Sequence, residues 1–216
     1  METEENIHST LSKLMISRRT CKPKNFQGAP PPKEIETLLE IARHAPNHHR
    51  TQPARFYLLD SQRIEKVGQL FGEVVRGDGS SKALIEKGNR KAIEWGQAPG
   101  LLIVTSQTDP HSELVRLNPE VVEEDYATCC CICQNLLLLF ESTGISAKWS
   151  TGPVWKHPDF SSVVGLKSPT TEKLVALLFY GYSDEKITTR SFQPLANHFV
   201  QYPSNADLPI KSVFLN

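Results

Sequence analysis

The chain has 216 residues, long enough to bury a sizeable core without disulfides. Its 24 lysines and arginines balance 24 aspartates and glutamates, which argues against a general nucleic-acid binder. The acidic residues 1–5 do not resemble a signal or transit peptide, and the most apolar stretch, 129–140, falls short of the ~20 residues of a membrane span, so a soluble, cytoplasmic protein is expected.

Ile7, Leu11, Leu14 and Met15 recur at helical spacing and predict a first helix ending near Ser17. A proline-rich loop follows, and Pro32 suits the first turn of a second helix carrying Ile35, Leu38, Leu39 and Ala42. Residues 55–60 read as a strand, with Ser61 as N-cap of a third helix through Ile64, Val67, Leu70, Phe71 and Val74. A polar helix is predicted over 82–95, and 101–105 is an apolar run of buried-strand type. The longest element, 119–143, opens on acidic residues that suit a helix N-terminus and is apolar nearly all round from Ala127, which predicts a central buried helix stopped by Gly144. Short strand 145–149, short helix 158–164 and strand 174–182 complete the core. A polar tail with apolar anchors at Phe199, Val200, Tyr202 and Phe214 follows, and is expected to lie on its own domain or on a partner. The pattern predicts a one-domain α+β layer fold.

Ser17-Arg18-Arg19-Thr20 places two guanidiniums and two hydroxyls together, a donor set that fits phosphate or carboxylate. The blander reading is a solvated basic turn. His44 and His48 stand at the i, i+4 spacing of a helical metal pair, but Pro46 lies between them and no carboxylate is near in sequence, so no metal site is expected. Four of the five cysteines fall within 129–133 without a second knuckle. They read as small buried residues in a reducing compartment rather than as a disulfide framework or zinc site. Trp149-Ser150-Thr151-Gly152-Pro153 makes a polar turn after a strand, able to line a cofactor. Lys186 or Arg190 could return a cation to the Arg18 region. There is no Gly-x-Gly-x-x-Gly, P-loop or Gly-x-Ser-x-Gly pattern. The charges within 72–95 make that stretch a candidate lid but name no substrate.

Taken in order, Ser17 to Thr20, the segment Ala45-Pro46-Asn47-His48-His49-Arg50-Thr51-Gln52-Pro53, the stretch 144–152 around Trp149, and strand 174–181 with its polar tail resemble the nitroreductase family of FMN flavoproteins. The likeness is greatest to its minimal bacterial-type members and runs over roughly residues 8–190. It implies a layered α+β fold with a central, mostly antiparallel sheet flanked by helices. It also implies a C-terminal arm over about 191–216 and a homodimer with FMN at the subunit interface. Arg18, Arg19 and Thr20 match the positions that hold the phosphate and ribityl end. His48 and Gln52 match flavin-contacting positions, Trp149, Ser150 and Thr151 match the stretch passing the flavin from the other side, and Arg190, with Lys186 as competitor, matches a late phosphate-binding cation. Thr20 stands where serine is usual, Ala54 where tryptophan often is, and Ser150 where arginine often is. The resemblance implies an FMN-dependent oxidoreductase using NADPH or NADH to reduce nitroaromatic or quinone-like acceptors by ping-pong hydride transfer. The alternatives are a reductive dehalogenase-like enzyme or a non-catalytic flavin-binding protein on the same fold.

Overall fold

The computed structural model describes residues 7–185 and 191–201. Among them are seven α-helices: α1 (Ile7–Ser17), α2 (Pro32–Ala42), α3 (Ser61–Arg76), α4 (Lys82–Gly96), α5 (Glu113–Leu117), α6 (Val121–Ser142) and α7 (Phe160–Val164). Four strands, β1 (Ala54–Leu58), β2 (Gly100–Gln107), β3 (Ser146–Ser150) and β4 (Glu172–Gly181), form an antiparallel sheet in the order β1-β2-β4-β3. The layered α+β arrangement expected from the sequence is present.

Both faces of the sheet are covered, and the period-2 alternation of the strands divides the core accordingly. Leu102, Val104, Ala176, Leu178 and Tyr180 face α2 and α6, meeting Ile35, Leu38, Ile132, Leu136 and Phe140. Their neighbours Leu101, Ile103, Leu177 and Phe179 face the other way, onto Ile64, Val67, Phe71 and Trp95 of α3 and α4. This is why β2 and β4 read as near-continuous apolar runs.

Helices α3 and α4 form a tight hairpin. A Cβ on Gly68 would meet the Gly96 nitrogen at 2.4 Å, and one on Gly72 would meet the Ala92 Cβ at 2.8 Å. The candidate lid is therefore a closely packed helical pair. The N-cap of α3 is Asp60 rather than Ser61, its carboxylate accepting from the Arg63 amide at 2.8 Å.

Helix α6 departs from the expected all-round burial. Cys129, Ile132, Cys133, Leu136, Leu137 and Phe140 are buried, but Ala127, Cys131 and Gln134 are exposed. Helix α1 buries no residue at all, and leaves Ile7, Met15 and Ile16 each more than half exposed. Residues 191–201 are exposed throughout, including Phe199 and Val200; Tyr202 and Phe214 lie outside the described residues.

One polar knot ties three strands. Glu172 on β4 accepts from Tyr57 on β1 at 2.7 Å, from Thr105 on β2 at 2.6 Å and from the Ser168 amide at 2.8 Å. Burial pushes the Glu172 carboxyl up, but donation from Thr105, Tyr57 and Ser168 outweighs it and holds its pKa below the ordinary 4.5. A carboxyl depressed in the native state contributes stability that is present above its unfolded pKa and is lost as pH falls through the native value. Melting temperature measured from pH 6 down to pH 3 should fall in that acid window, and Glu172→Gln should flatten this part of the fall. An unchanged acid limb in Glu172→Gln would exclude the linkage.

Candidate active site

Helix α1 stops at Ser17, and the chain then runs extended alongside β3. Thr20 makes a parallel bridge to Ala147, and the Cys21 amide donates to the Ala147 carbonyl at 3.0 Å. Arg18 and Arg19 are half-buried at this edge. The two arginines differ. Arg19 folds back so that its guanidinium donates to the carbonyl of Ile16 and, at 2.9 Å, to that of Arg18. It thereby caps the end of α1.

The extended backbone sends alternate side chains to opposite sides. Cys21 is fully buried, whereas Thr20 and Lys22 are exposed. Lys22, which the sequence reading passed over, lines a cavity of about 700 Å³ between the segment after Thr20, β3 and α4. That alternation was its signal. The cavity wall also carries Lys91 and Glu94 of α4, paired at 2.5 Å, and Lys148 of β3. Burial pulls the Lys148 ammonium below its usual pKa, and Glu94 pushes it partly back. The second carboxylate oxygen of Glu94 is buried and has no hydrogen-bond partner among the described residues.

The Asn47–Gln52 loop enters β1. Its backbone is strained: His49, Arg50 and Gln52 have φ of 58°, 53° and 50°. Left-handed conformations cost about 1–2 kcal/mol each for residues with a Cβ, so surrounding contacts must fix them. Asn47 Oδ1 accepts from the Gln52 amide at 2.8 Å, and its amide nitrogen donates to the Thr51 hydroxyl at 2.9 Å. Thr51 donates to Asp125, which is 1% exposed and also accepts from Thr108 at 2.6 Å. Thr128 of α6 donates to the Pro46 carbonyl at 2.9 Å. Asp125→Ala strands two hydroxyls, and should lower unfolding free energy by about 1–3 kcal/mol. Urea denaturation checks this; wild-type stability in that variant would mean the loop is held by other contacts.

His48 pairs with Glu124 at 2.8 Å and stacks on His49. These three present ligand atoms within 4.8 Å of one another, and the two histidines are exposed; His44 is not in the group. Thus the i, i+4 spacing does not carry into space, although a carboxylate distant in sequence does arrive. Asn47 and Gln52 line a smaller hollow of about 210 Å³ with Arg55 and Thr128.

The two stretches lie at opposite corners of the sheet. β3 and β1 are the two edges, about 14 Å apart at the usual strand spacing. Ala147 is level with Tyr180 and Gly100, whereas Ala54 is level with Ser106, six residues further along β2. That adds about 20 Å along the strands. So the structure sets Thr20 beside Ala147 of β3, with Trp149, Ser150 and Thr151 further along the chain and away from Arg18, and places His48 and Gln52 at the β1 edge. Trp149 packs against the α6-side core and its indole N–H donates to the Val175 carbonyl at 3.3 Å. Arg190 and Lys186 lie outside the described residues.

The cysteines are free. Burial raises the Cys129 thiol to about 11 and pushes the Cys133 thiol higher still. Both stay protonated at neutral pH and act as small packing residues, while Cys131 is exposed. No helix among the described residues is long and apolar enough to cross a membrane.

A model of the nitroreductase family matches residues 15–182. YfhC of Bacillus subtilis (strain 168), provisionally named an NAD(P)H nitroreductase, is 28% identical over 199 residues, covering 90% of this chain and 95% of that protein. A nitroreductase-like family protein from Bacillus cereus superposes with a TM-score of 0.70 at 22% identity, over 89% of this chain and 95% of the other. A nitroreductase from Bacteroides fragilis with bound FMN superposes with a TM-score of 0.67 at 18% identity, over 89% and 98%.

Proposed function

The chain belongs to the nitroreductase family, and on that footing we propose that it is an FMN-dependent NAD(P)H oxidoreductase acting on small nitroaromatic or quinone-like acceptors. The observation that carries this reading is a cationic cavity of about 700 Å³ beside β3, walled by Lys22, Lys91 and Lys148 and lying a few residues along the chain from the half-buried Arg18 and Arg19, within the ~300–1,000 Å³ range of small-molecule pockets.

The donor set fits FMN. Arg18 and Thr20 would hold the phosphate, a dianion that suits guanidinium and hydroxyl donors. Arg19 steadies the seat from the end of α1, and Lys22 and Lys148 would place positive charge beside the ring. The unpartnered oxygen of Glu94 would accept from N3–H, the donor on the pyrimidine edge of a flavin. When bound, FMN supplies hydride transfer, taking two electrons from NADPH or NADH and passing them to an acceptor. The protein's task is then to bind, orient and stabilise charge. In ping-pong order the reductant leaves before the acceptor enters, so one cavity serves both.

His48 and Gln52 cannot reach the same ligand as Arg18 within one chain, given their separation across the sheet. In a homodimer each flavin would take its phosphate seat from one protomer and its His48–Gln52 contact from the other. The apolar surface for such a pairing is available. Ile7, Met15 and Ile16 of α1 are more than half exposed, and Leu11, Leu14, Ile41, Leu138 and Leu139 line a groove between α1, α2 and α6. Exposed apolar area of this kind marks interfaces. Five free cysteines suit a reducing compartment such as the cytoplasm.

Purified protein should be yellow, with the visible bands of oxidised flavin, and should bleach on anaerobic addition of NADPH or NADH. A colourless preparation that takes up no added FMN would overturn the reading.

A further inference from the structure

The chain as a whole is electrically balanced, with 24 basic and 24 acidic residues. The cavity is not. Its wall holds Lys22, Lys24, Lys87, Arg90, Lys91 and Lys148 against a single carboxylate, Glu94. That carboxylate is already paired with Lys91. Among the described residues, none of the other five cations has an ion-pair partner within 4 Å. Glu185 lies near enough to feel Lys22 and Lys24, but it accepts from Asn25 at 2.5 Å and from the Cys21 thiol at 3.2 Å.

Like charges gathered without counter-charges repel one another, and a concave wall focuses their field. Arg18 and Thr20 would meet the phosphate of FMN, and Lys22 and Lys148 its ring, which leaves Lys24, Lys87 and Arg90 without an occupant. Lys87 and Arg90 are exposed and stand on successive turns of α4, on the side that lines the cavity. Between the charges lie apolar surfaces: Phe26, and Ile93, which is 57% exposed. Apolar surface among cationic side chains suits a molecule that is flat and apolar in its body and negative at one end.

We propose that the acceptor reduced in this cavity is an aromatic anion, a planar ring bearing a carboxylate or phosphate, with its charge held by Lys87 and Arg90. This rests on the flavin reading above. The pyridine-nucleotide reductant also carries phosphates, so the two half-reactions must be separated. The balance for a nitro acceptor is simple. One NADPH supplies a hydride, solvent supplies one proton, and the nitro group becomes nitroso with release of one water and one NADP⁺.

The test uses yellow holoprotein. Enzyme reduced by dithionite, with no nucleotide present, is mixed anaerobically with 4-nitrobenzoate or with the neutral 4-nitrobenzyl alcohol, and flavin reoxidation is followed by stopped flow. The second-order rate constant for the anion should exceed that for the neutral compound by about tenfold at low ionic strength. The difference should shrink as salt is raised to about 0.5 M, where screening extends over only a few ångströms. Binding of benzoate to the oxidised protein, read from perturbation of the flavin spectrum, should show the same salt dependence. In Lys87→Ala/Arg90→Ala the preference should collapse toward unity, and in Lys87→Glu/Arg90→Glu it should invert. Equal rate constants for the two acceptors in yellow wild-type enzyme would overturn the proposal while leaving the flavin reading intact. So would charge variants that slow reduction by NADPH yet keep the acceptor preference, because Lys87 and Arg90 would then serve the reductant. A colourless protein would bring down the flavin reading itself.

Discussion

Arg18→Ala should give a folded but colourless protein. Removing a guanidinium from the proposed phosphate contact forfeits a charge-assisted interaction of about 1.5–3 kcal/mol, which is a rise of about 10- to 100-fold in the dissociation constant for FMN. The variant should keep the wild-type far-ultraviolet spectrum and release its flavin on gel filtration. Fluorescence titration with FMN then gives the shift. Arg19→Ala should behave differently. Its guanidinium also binds the carbonyls of Ile16 and Arg18, so its loss should lower thermal stability as well as affinity. A yellow, fully active Arg18→Ala would remove this residue from the phosphate seat.

The second large effect concerns how the site is shared. Two variants are made, one defective at the β3 corner (Arg18→Ala) and one at the β1 corner (His48→Ala/Gln52→Ala), with different affinity tags. Each homodimer carries two damaged sites and should lose most of its flavin. The heterodimer, isolated through both tags, combines an intact phosphate seat from one chain with an intact loop from the other. In a symmetric dimer this restores one site and doubly damages its mate, so the heterodimer should hold about one flavin for every two chains. If each site drew its contacts from a single chain, no pairing would rescue binding, and the heterodimer would be as colourless as its parents.

The order of elements was readable because it depends on local patterns. Apolar residues at helical spacing mark α2 and α3, the apolar runs mark β2 and β4, and Gly144 with φ of 75° ends α6 as expected. Helix α5 escaped notice because it buries a single side chain, Val115, whereas α7, of the same length, carries the i, i+4 pair Phe160 and Val164. The exposed side of α6 was hidden by its composition. Ala127 and Cys131 count as apolar, so a face left open to solvent looked like part of a buried helix. The site was legible only in pieces. The Ser-Arg-Arg-Thr stretch stands out because its residues are adjacent. Lys91 and Glu94 do not, since an i, i+3 charge pair on a helix is ordinarily a solvated surface feature. Nor does any local pattern reveal that Arg18 and His48 sit at opposite corners, because the order of strands is set by long-range pairing. The network beneath the loop has the same origin: Asp125 reaches Thr51 from 74 positions away.

Opposite corners have a thermodynamic consequence. A ligand seat divided between two chains makes cofactor uptake and chain association a single linked equilibrium, in which each promotes the other by the same factor. Such a protein reads its own concentration. On dilution of a dimer with the proposed shared seat, the flavin would leave as the protomers part, even where free FMN would saturate an assembled site. Added FMN would in turn draw the protomers together, so the flavin would also act as a reporter of self-association.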